Sequence, residues 1–154
     1  MAAPKGNQFW KLRSKHGRDK LFSSSNLLWE AATEYFEWCD KNPWLKSEAI
    51  KSGDMAGTVM QVPTARPYTL QGLCLFLDCN AAYFRQFKQS LPENEQDFST
   101  VITRIEEVIY NQKFEGATVG AFNANIIARD LGLSDKQEHE VNAKIEQVTG
   151  MVIK

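Results

Sequence analysis

Asp97-Phe98-Ser99-Thr100-Val101-Ile102-Thr103-Arg104-Ile105-Glu106-Glu107-Val108-Ile109-Tyr110-Asn111-Gln112-Lys113-Phe114-Glu115 is the stretch that decides the fold. Phe98, Val101, Ile102, Ile105, Val108, Ile109 and Phe114 recur every three or four residues and fall on one helical stripe. Arg104, Glu106 and Glu107 face away, and Asp97 or Ser99 can cap the start. A helix this long and this clearly amphipathic must bury its stripe against other helices, so the chain reads as mainly α.

Downstream, Gly116 and Gly120 loosen the backbone. A further helix follows over about 121–131, carrying Phe122, Asn125, Ile126, Ala128, Arg129 and Leu131, with Gly132 placed as its stop. Upstream, Thr69 can cap a helix over about 70–77, with Leu70, Leu73, Phe76 and Leu77 on its apolar face. The break at Asp78-Cys79-Asn80 leads into a second helix over 81–89. Helix, three-residue turn, helix is the outline of a helix-turn-helix, and equally of an ordinary αα-hairpin. The second helix carries Tyr83, Arg85, Gln86 and Lys88, side chains able to reach phosphates or base edges.

Further back, Ser23, Ser24 and Ser25 offer caps for a helix over about 26–41. Its stripe is Leu27, Leu28, Ala31, Ala32, Tyr35, Phe36 and Cys39, and Asn42-Pro43 ends it. Residues 45–66 change character. Strand-like runs at 45–51 and 58–62 flank the glycine-containing 52–57, which predicts a β-hairpin. A lone hairpin is marginal in water, so it should lean on the body or on a neighbouring subunit.

At the carboxyl end, Val141, Ala143 and Ile145 alternate with polar residues, and Val148, Met151, Val152 and Ile153 continue the β pattern. A single strand in a helical protein needs a partner. Identical strands from several copies can close a small barrel on a symmetry axis, or the tail can fold back on the hairpin. Val141, Ala143, Ile145, Val148 and Val152 are the candidate oligomerisation residues.

The formal net charge of -1 hides an asymmetry. Residues 1–20 carry Lys5, Lys11, Arg13, Lys15, Arg18 and Lys20 against Asp19, a sum of +5, which leaves -6 for the rest. A basic arm on an acidic body suits a protein that touches phosphates with one end. Phe9, Trp10, Leu12 and Phe22 give the arm aromatic and apolar anchors, by which it can instead pack on its own body. Cys39, Cys74 and Cys79 are odd in number and lack zinc-ligand spacing, so they read as reduced, mostly buried thiols. The amino terminus lacks the apolar core of a signal peptide, and no apolar run approaches a membrane span.

Catalytic chemistry does not emerge. His16 and His139 sit in polar segments, no phosphate-binding glycine loop is present, and Glu106-Glu107 with Glu138 and Glu140 read as solvated faces. The expectation is a protein without catalytic residues, cofactor or metal.

Several segments together resemble the small terminase subunits of short-tailed, headful-packaging phages of enteric bacteria. They are Ala3-Pro4-Lys5-Gly6-Asn7, Phe9-Trp10 and His16-Gly17-Arg18, then Leu28-Trp29-Glu30-Ala31-Ala32 with Glu34-Tyr35-Phe36-Glu37-Trp38 and Asn42-Pro43. Near the end they are Val108-Ile109-Tyr110-Asn111-Gln112-Lys113-Phe114-Glu115-Gly116-Ala117 and Asn123-Ala124-Asn125-Ile126-Ile127-Ala128-Arg129-Asp130-Leu131-Gly132-Leu133. The likeness covers about 1–133, with 45–66 diverged. It implies a helical protomer with a β-hairpin insertion, assembled as a ring with a central channel. It further implies recognition of a packaging-initiation site on concatemeric viral DNA, and delivery to a large subunit that carries ATPase and nuclease. Some relatives end in a strongly basic tail. Here 134–154 sets Lys136, Lys144 and Lys154 against Asp135, Glu138, Glu140 and Glu146. This moves DNA contact toward the arm and the 81–89 helix.

The combined expectation is a mainly α protomer in three parts: a basic arm over 1–22, a helical core over 23–133, and a terminal strand segment over 134–154. Its expected partners are viral double-stranded DNA, the large terminase subunit and further copies of itself. The expected ring has roughly eight to ten protomers, nine favoured. No membrane is expected, and the place of action is the host bacterial cytoplasm rather than the mature virion. The expected DNA contacts are Lys5, Lys11, Arg13, Lys15, Arg18, Lys20, Arg85 and Lys88. A dimeric helix-turn-helix regulator is the alternative, and a phage adaptor that binds only protein is a third reading.

Overall fold

In a computed structural model that describes residues 15–134, six helices and one two-stranded sheet follow in the order α1 (Arg18–Leu21), α2 (Ser25–Lys41), β1 (Trp44–Ala49), β2 (Val59–Thr64), α3 (Leu70–Phe76), α4 (Ala81–Ser90), α5 (Gln96–Thr118) and α6 (Ala124–Asp130). The fold is mainly helical with an antiparallel hairpin, as the sequence predicts.

The centre is α2 packed against α5, with α3 lying on α2 and α6 on α5. Leu28, Ala31, Ala32, Tyr35, Phe36 and Cys39 of α2 meet Phe98, Ile102, Ile105 and Ile109 of α5 in one core, with Leu73, Cys74 and Phe84 from α3 and α4. The Ser24 hydroxyl accepts the Leu27 amide at 3.4 Å, and the Thr69 hydroxyl accepts that of Gly72 at 2.9 Å. Both serve as the expected N-caps.

Helix α5 departs from expectation in two respects. It starts at Gln96 with Glu95 in the capping position and no side-chain cap, so neither Asp97 nor Ser99 caps it. Asp97 instead lies in the first turn, where a negative charge suits the helix dipole. Phe114 is not on the buried stripe. It is 43% exposed and stacks on Tyr110 at 6.3 Å between ring centroids. The 102, 105 and 109 face continues at 113, four residues past Ile109, whereas 114 lies a further 100° around. Lys113 therefore takes the inner position. It is buried, and its ammonium pairs with the Asp130 carboxylate of α6.

Helix α6 begins three residues later than expected. The Asn123 side chain accepts the amides of Asn125 and Ile126 and so sets the start. Phe122 stays outside the helix, its ring laid over Gly116 so closely that a Cβ there would stand 2.2 Å from ring carbons. Gly132, at φ +71, closes the far end as predicted.

The hairpin pairs Trp44 with Thr64 through Ala49 with Val59. Its strands sit one or two residues nearer the base than expected, because Gly57 donates to Ile50 O and Gly53 and Gly57 turn the chain at positive φ. Every residue of β1 is exposed. Only the base is anchored. Arg66 is buried, donates to Asn42 O at 2.8 Å, and lies 4.9 Å from the Trp38 ring and 4.1 Å from that of Trp44.

Candidate nucleic-acid interface

The basic candidates fall into three groups. Lys5, Lys11 and Arg13, together with the carboxyl-terminal Val141, Ala143, Ile145, Val148 and Val152, lie outside the described residues. Lys15, Arg18, Lys20 and Arg85 are exposed. Lys88 is exposed too, but its ammonium sits 3.0 Å from the Glu106 carboxylate of α5, so it begins as half of an ion pair. Glu106 keeps a partly solvated side chain, as the sequence reading expects, and adds an ion pair to it.

The structure brings the end of the arm onto the second helix of the candidate helix-turn-helix. Leu21 and Phe22, which the sequence groups with the arm, are buried in the core. The Phe22 ring makes edge contacts with Tyr83 at 5.1 Å, Phe84 at 6.2 Å and Phe87 at 4.8 Å. One turn earlier, the Arg18 guanidinium lies 4.9 Å from the centre of the Tyr83 ring. These aromatic contacts fix α1 against α4. Arg18 thus lies against the Tyr83 side of α4, and α4 itself carries Arg85 and Lys88 with no acid among its ten residues. Outward on α4 stand Ala82, Arg85, Gln86 and Gln89. Asp19 lies 3.6 Å from the Arg18 side chain, as Glu106 lies beside Lys88.

The helix pair matches the expected outline. Leu77 is the C-cap of α3, Asp78 adopts a left-handed φ of 60°, and Asn80 caps α4 by accepting the Tyr83 amide at 2.7 Å. The surface offers cations and amides on a rigid element. Such groups can contact phosphates and hydrogen-bond at groove edges.

Elsewhere, a mostly apolar groove of about 420 Å³ lies between the hairpin base and α6, where Trp44, Leu45, Pro67, Phe122, Ile126 and Ile127 line it together with Lys46, Thr64 and Asn123. Among the described residues no three His, Cys, Asp or Glu side chains gather as a metal site, and no helix is long and apolar enough to cross a membrane. Sequence reasoning missed the Arg66 sandwich and the Lys113–Asp130 pair. In each, the partners lie far apart in the chain and no local spacing links them.

The family model described as DNA-packaging protein gp3 matches residues 17–139, most of the chain, and the chain belongs to that family. It is 46% identical over 142 residues to the small terminase subunit of Salmonella phage P22, covering 91% of this chain and 83% of the relative.

Proposed function

We propose that this packaging protein is the small subunit of a phage terminase. It recognises the packaging site on concatemeric phage DNA, recruits that DNA to the large ATPase and nuclease subunit, and modulates that motor. The identity to the phage P22 small subunit, spread over 91% of the chain, is the observation that carries this reading. It acts in the host bacterial cytoplasm without catalytic groups of its own and is left behind when the virion matures.

Affinity comes from phosphate neutralisation by Lys5, Lys11, Arg13, Lys15, Arg18, Lys20 and Arg85, with counterion release as the driving term. Lys88 joins them only on leaving Glu106. One arm is a weak ligand. A ring of about nine copies, closed by the strands around Val141, Ala143, Ile145, Val148 and Val152, turns it into a multivalent one.

Two measurements test this. Light scattering on the full chain should give a mass of roughly eight to ten protomers, and a chain ending at Asp135 should collapse to smaller species. A dimer from the full chain would move the reading to a helix-turn-helix regulator, which the α3–α4 outline supports. Salt titration of DNA binding should show Arg85→Ala lowering the log–log slope by about 1 for each phosphate it no longer neutralises, and Lys88→Ala lowering it less. An unchanged slope for Arg85→Ala removes α4 from the interface.

A further inference from the structure

Helix α3 ends in a doubly hydrogen-bonded cap. The Cys79 amide donates to Cys74 O at 2.9 Å, the Asp78 amide donates to Leu75 O at 3.2 Å, and Asp78 supplies the left-handed residue between them. In this kind of cap the side chain just beyond the turn folds over the one three residues before the helix end. Here those two positions are Cys79 and Cys74. The backbone bond that joins them holds their Cα atoms within about 6.8 Å, the upper end of the span that a disulfide bridges. Both cysteines line one cleft of about 290 Å³, together with Gln71, Leu75, Asn80 and Ala81. Cys74 is buried, and Cys79 is partly open to solvent.

We infer that Cys74 and Cys79 form a redox-modifiable dithiol in the α3–α4 turn, which hydroperoxides convert to an intramolecular disulfide and small thiols restore. This site is independent of the packaging role and stands or falls by itself.

The two sulfurs have different tasks. The Cys79 thiol is held below its ordinary value, first by a hydrogen bond from the Cys74 thiol and then by the nearby Arg18 guanidinium. That same hydrogen bond, with burial, pushes Cys74 up. Cys79 is therefore the nucleophile and Cys74 the resolving thiol. The Cys79 thiolate attacks a peroxide oxygen, the O–O bond breaks, and a sulfenic acid and water or an alcohol result. The Cys74 sulfur, its proton released, then displaces the sulfenic oxygen as water and closes the S–S bond. Two thiols are oxidised, one hydroperoxide is reduced, and no other reactant enters. Cys39 provides an internal reference. It is buried, and its thiol is pushed up to about 11 by desolvation.

The test treats the reduced full chain with hydrogen peroxide, alkylates the remaining thiols, and maps them by mass spectrometry. The expected product is a Cys74–Cys79 disulfide within one chain, forming at least about tenfold faster than Cys39 is oxidised, because Cys79 is partly open to solvent and Cys39 is buried. Phenylarsine oxide, which needs two neighbouring thiols, should bind one per chain, and either Cys74→Ser or Cys79→Ser should abolish that binding. The inference is overturned if Cys39 reacts as fast as Cys79. It is equally overturned if the disulfides join separate chains, or if the arsenical fails to bind the unsubstituted protein. The unsubstituted chain alone decides these outcomes, so a variant that folds poorly does not blunt the test.

Discussion

The α2–α5 layer and the β1–β2 hairpin are built on opposite terms. In the layer, Leu28, Ala32, Ile102 and Ile105 are wholly removed from solvent, and the helices satisfy their own backbone groups. In the hairpin a regular ladder of six residue pairs is formed, yet Val59 is 65% exposed, Met60 50% and Met55 63%. Hydrogen bonding specifies the hairpin's shape, and almost no apolar burial supports it. Because burial supplies most of the free energy of folding, the layer stands by itself, whereas the hairpin depends on its anchored base. Arg66 between Trp38 and Trp44 is that anchor, and it ties the hairpin to the end of α2.

The sharpest way to break this contrast is at Phe84, which is 1% exposed and in edge contact with Phe22. Phe84→Ala should cost about 3–5 kcal/mol in urea unfolding, through forfeited transfer energy and the cavity left behind. A change under about 1 kcal/mol would mean that α4 is not part of the layer. Next is the α5–α6 junction. Asp130→Ala leaves the Lys113 ammonium buried without its carboxylate and should cost about 1–3 kcal/mol. Lys113→Met with Asp130→Ala should recover part of that stability, because the methionine needs no ionic partner. Failure of the double variant to recover anything would show that the pair does more than neutralise a buried charge. A smaller effect belongs to the α2 cap, where Ser24→Ala should cost about 0.5–2 kcal/mol in thermal unfolding.

The layer is far more legible in the sequence than the candidate interface. The 98, 101, 102, 105, 108 and 109 spacing on α5 and the Leu28 to Cys39 spacing on α2 are local signals, and the helix periods translate them directly into buried faces. Thr69 and Gly132 are legible for the same reason, since caps and stops act within a few residues. Lys113 is not, because a lysine on an apolar face makes sense only once Asp130, from another helix, stands beside it. Lys88 is obscured in the same way. Its residue type suggests a free cation, and Glu106 is 18 residues distant in the chain. The Cys74–Cys79 contact escapes because it depends on Asp78 taking a left-handed conformation, which glycine usually provides. The sequence names Arg18 and the α4 residues as separate candidates, and only the packing of Phe22 on Tyr83, Phe84 and Phe87 sets Arg18 beside α4.

The smallest effect on stability tests the hairpin itself. Val59→Thr with Met60→Thr keeps the strand register and β propensity and removes apolar surface that is already in water. Since those side chains bury little within one chain, unfolding free energy should change by no more than about 0.5 kcal/mol. A drop above about 2 kcal/mol would show that the hairpin packs on its own body, and the contrast with the α2–α5 layer would dissolve. The same variant, followed by light scattering, sharpens the contrast. If unfolding is unchanged while the assembly falls to smaller species, the exposed apolar side chains are the surface through which copies meet. The hairpin's missing burial would then be supplied by a neighbour, and its ladder would serve as a rigid frame for that contact. If both stability and mass are unchanged, copies meet elsewhere, and the ladder, the two glycine turns and the Arg66 anchor hold the hairpin by themselves.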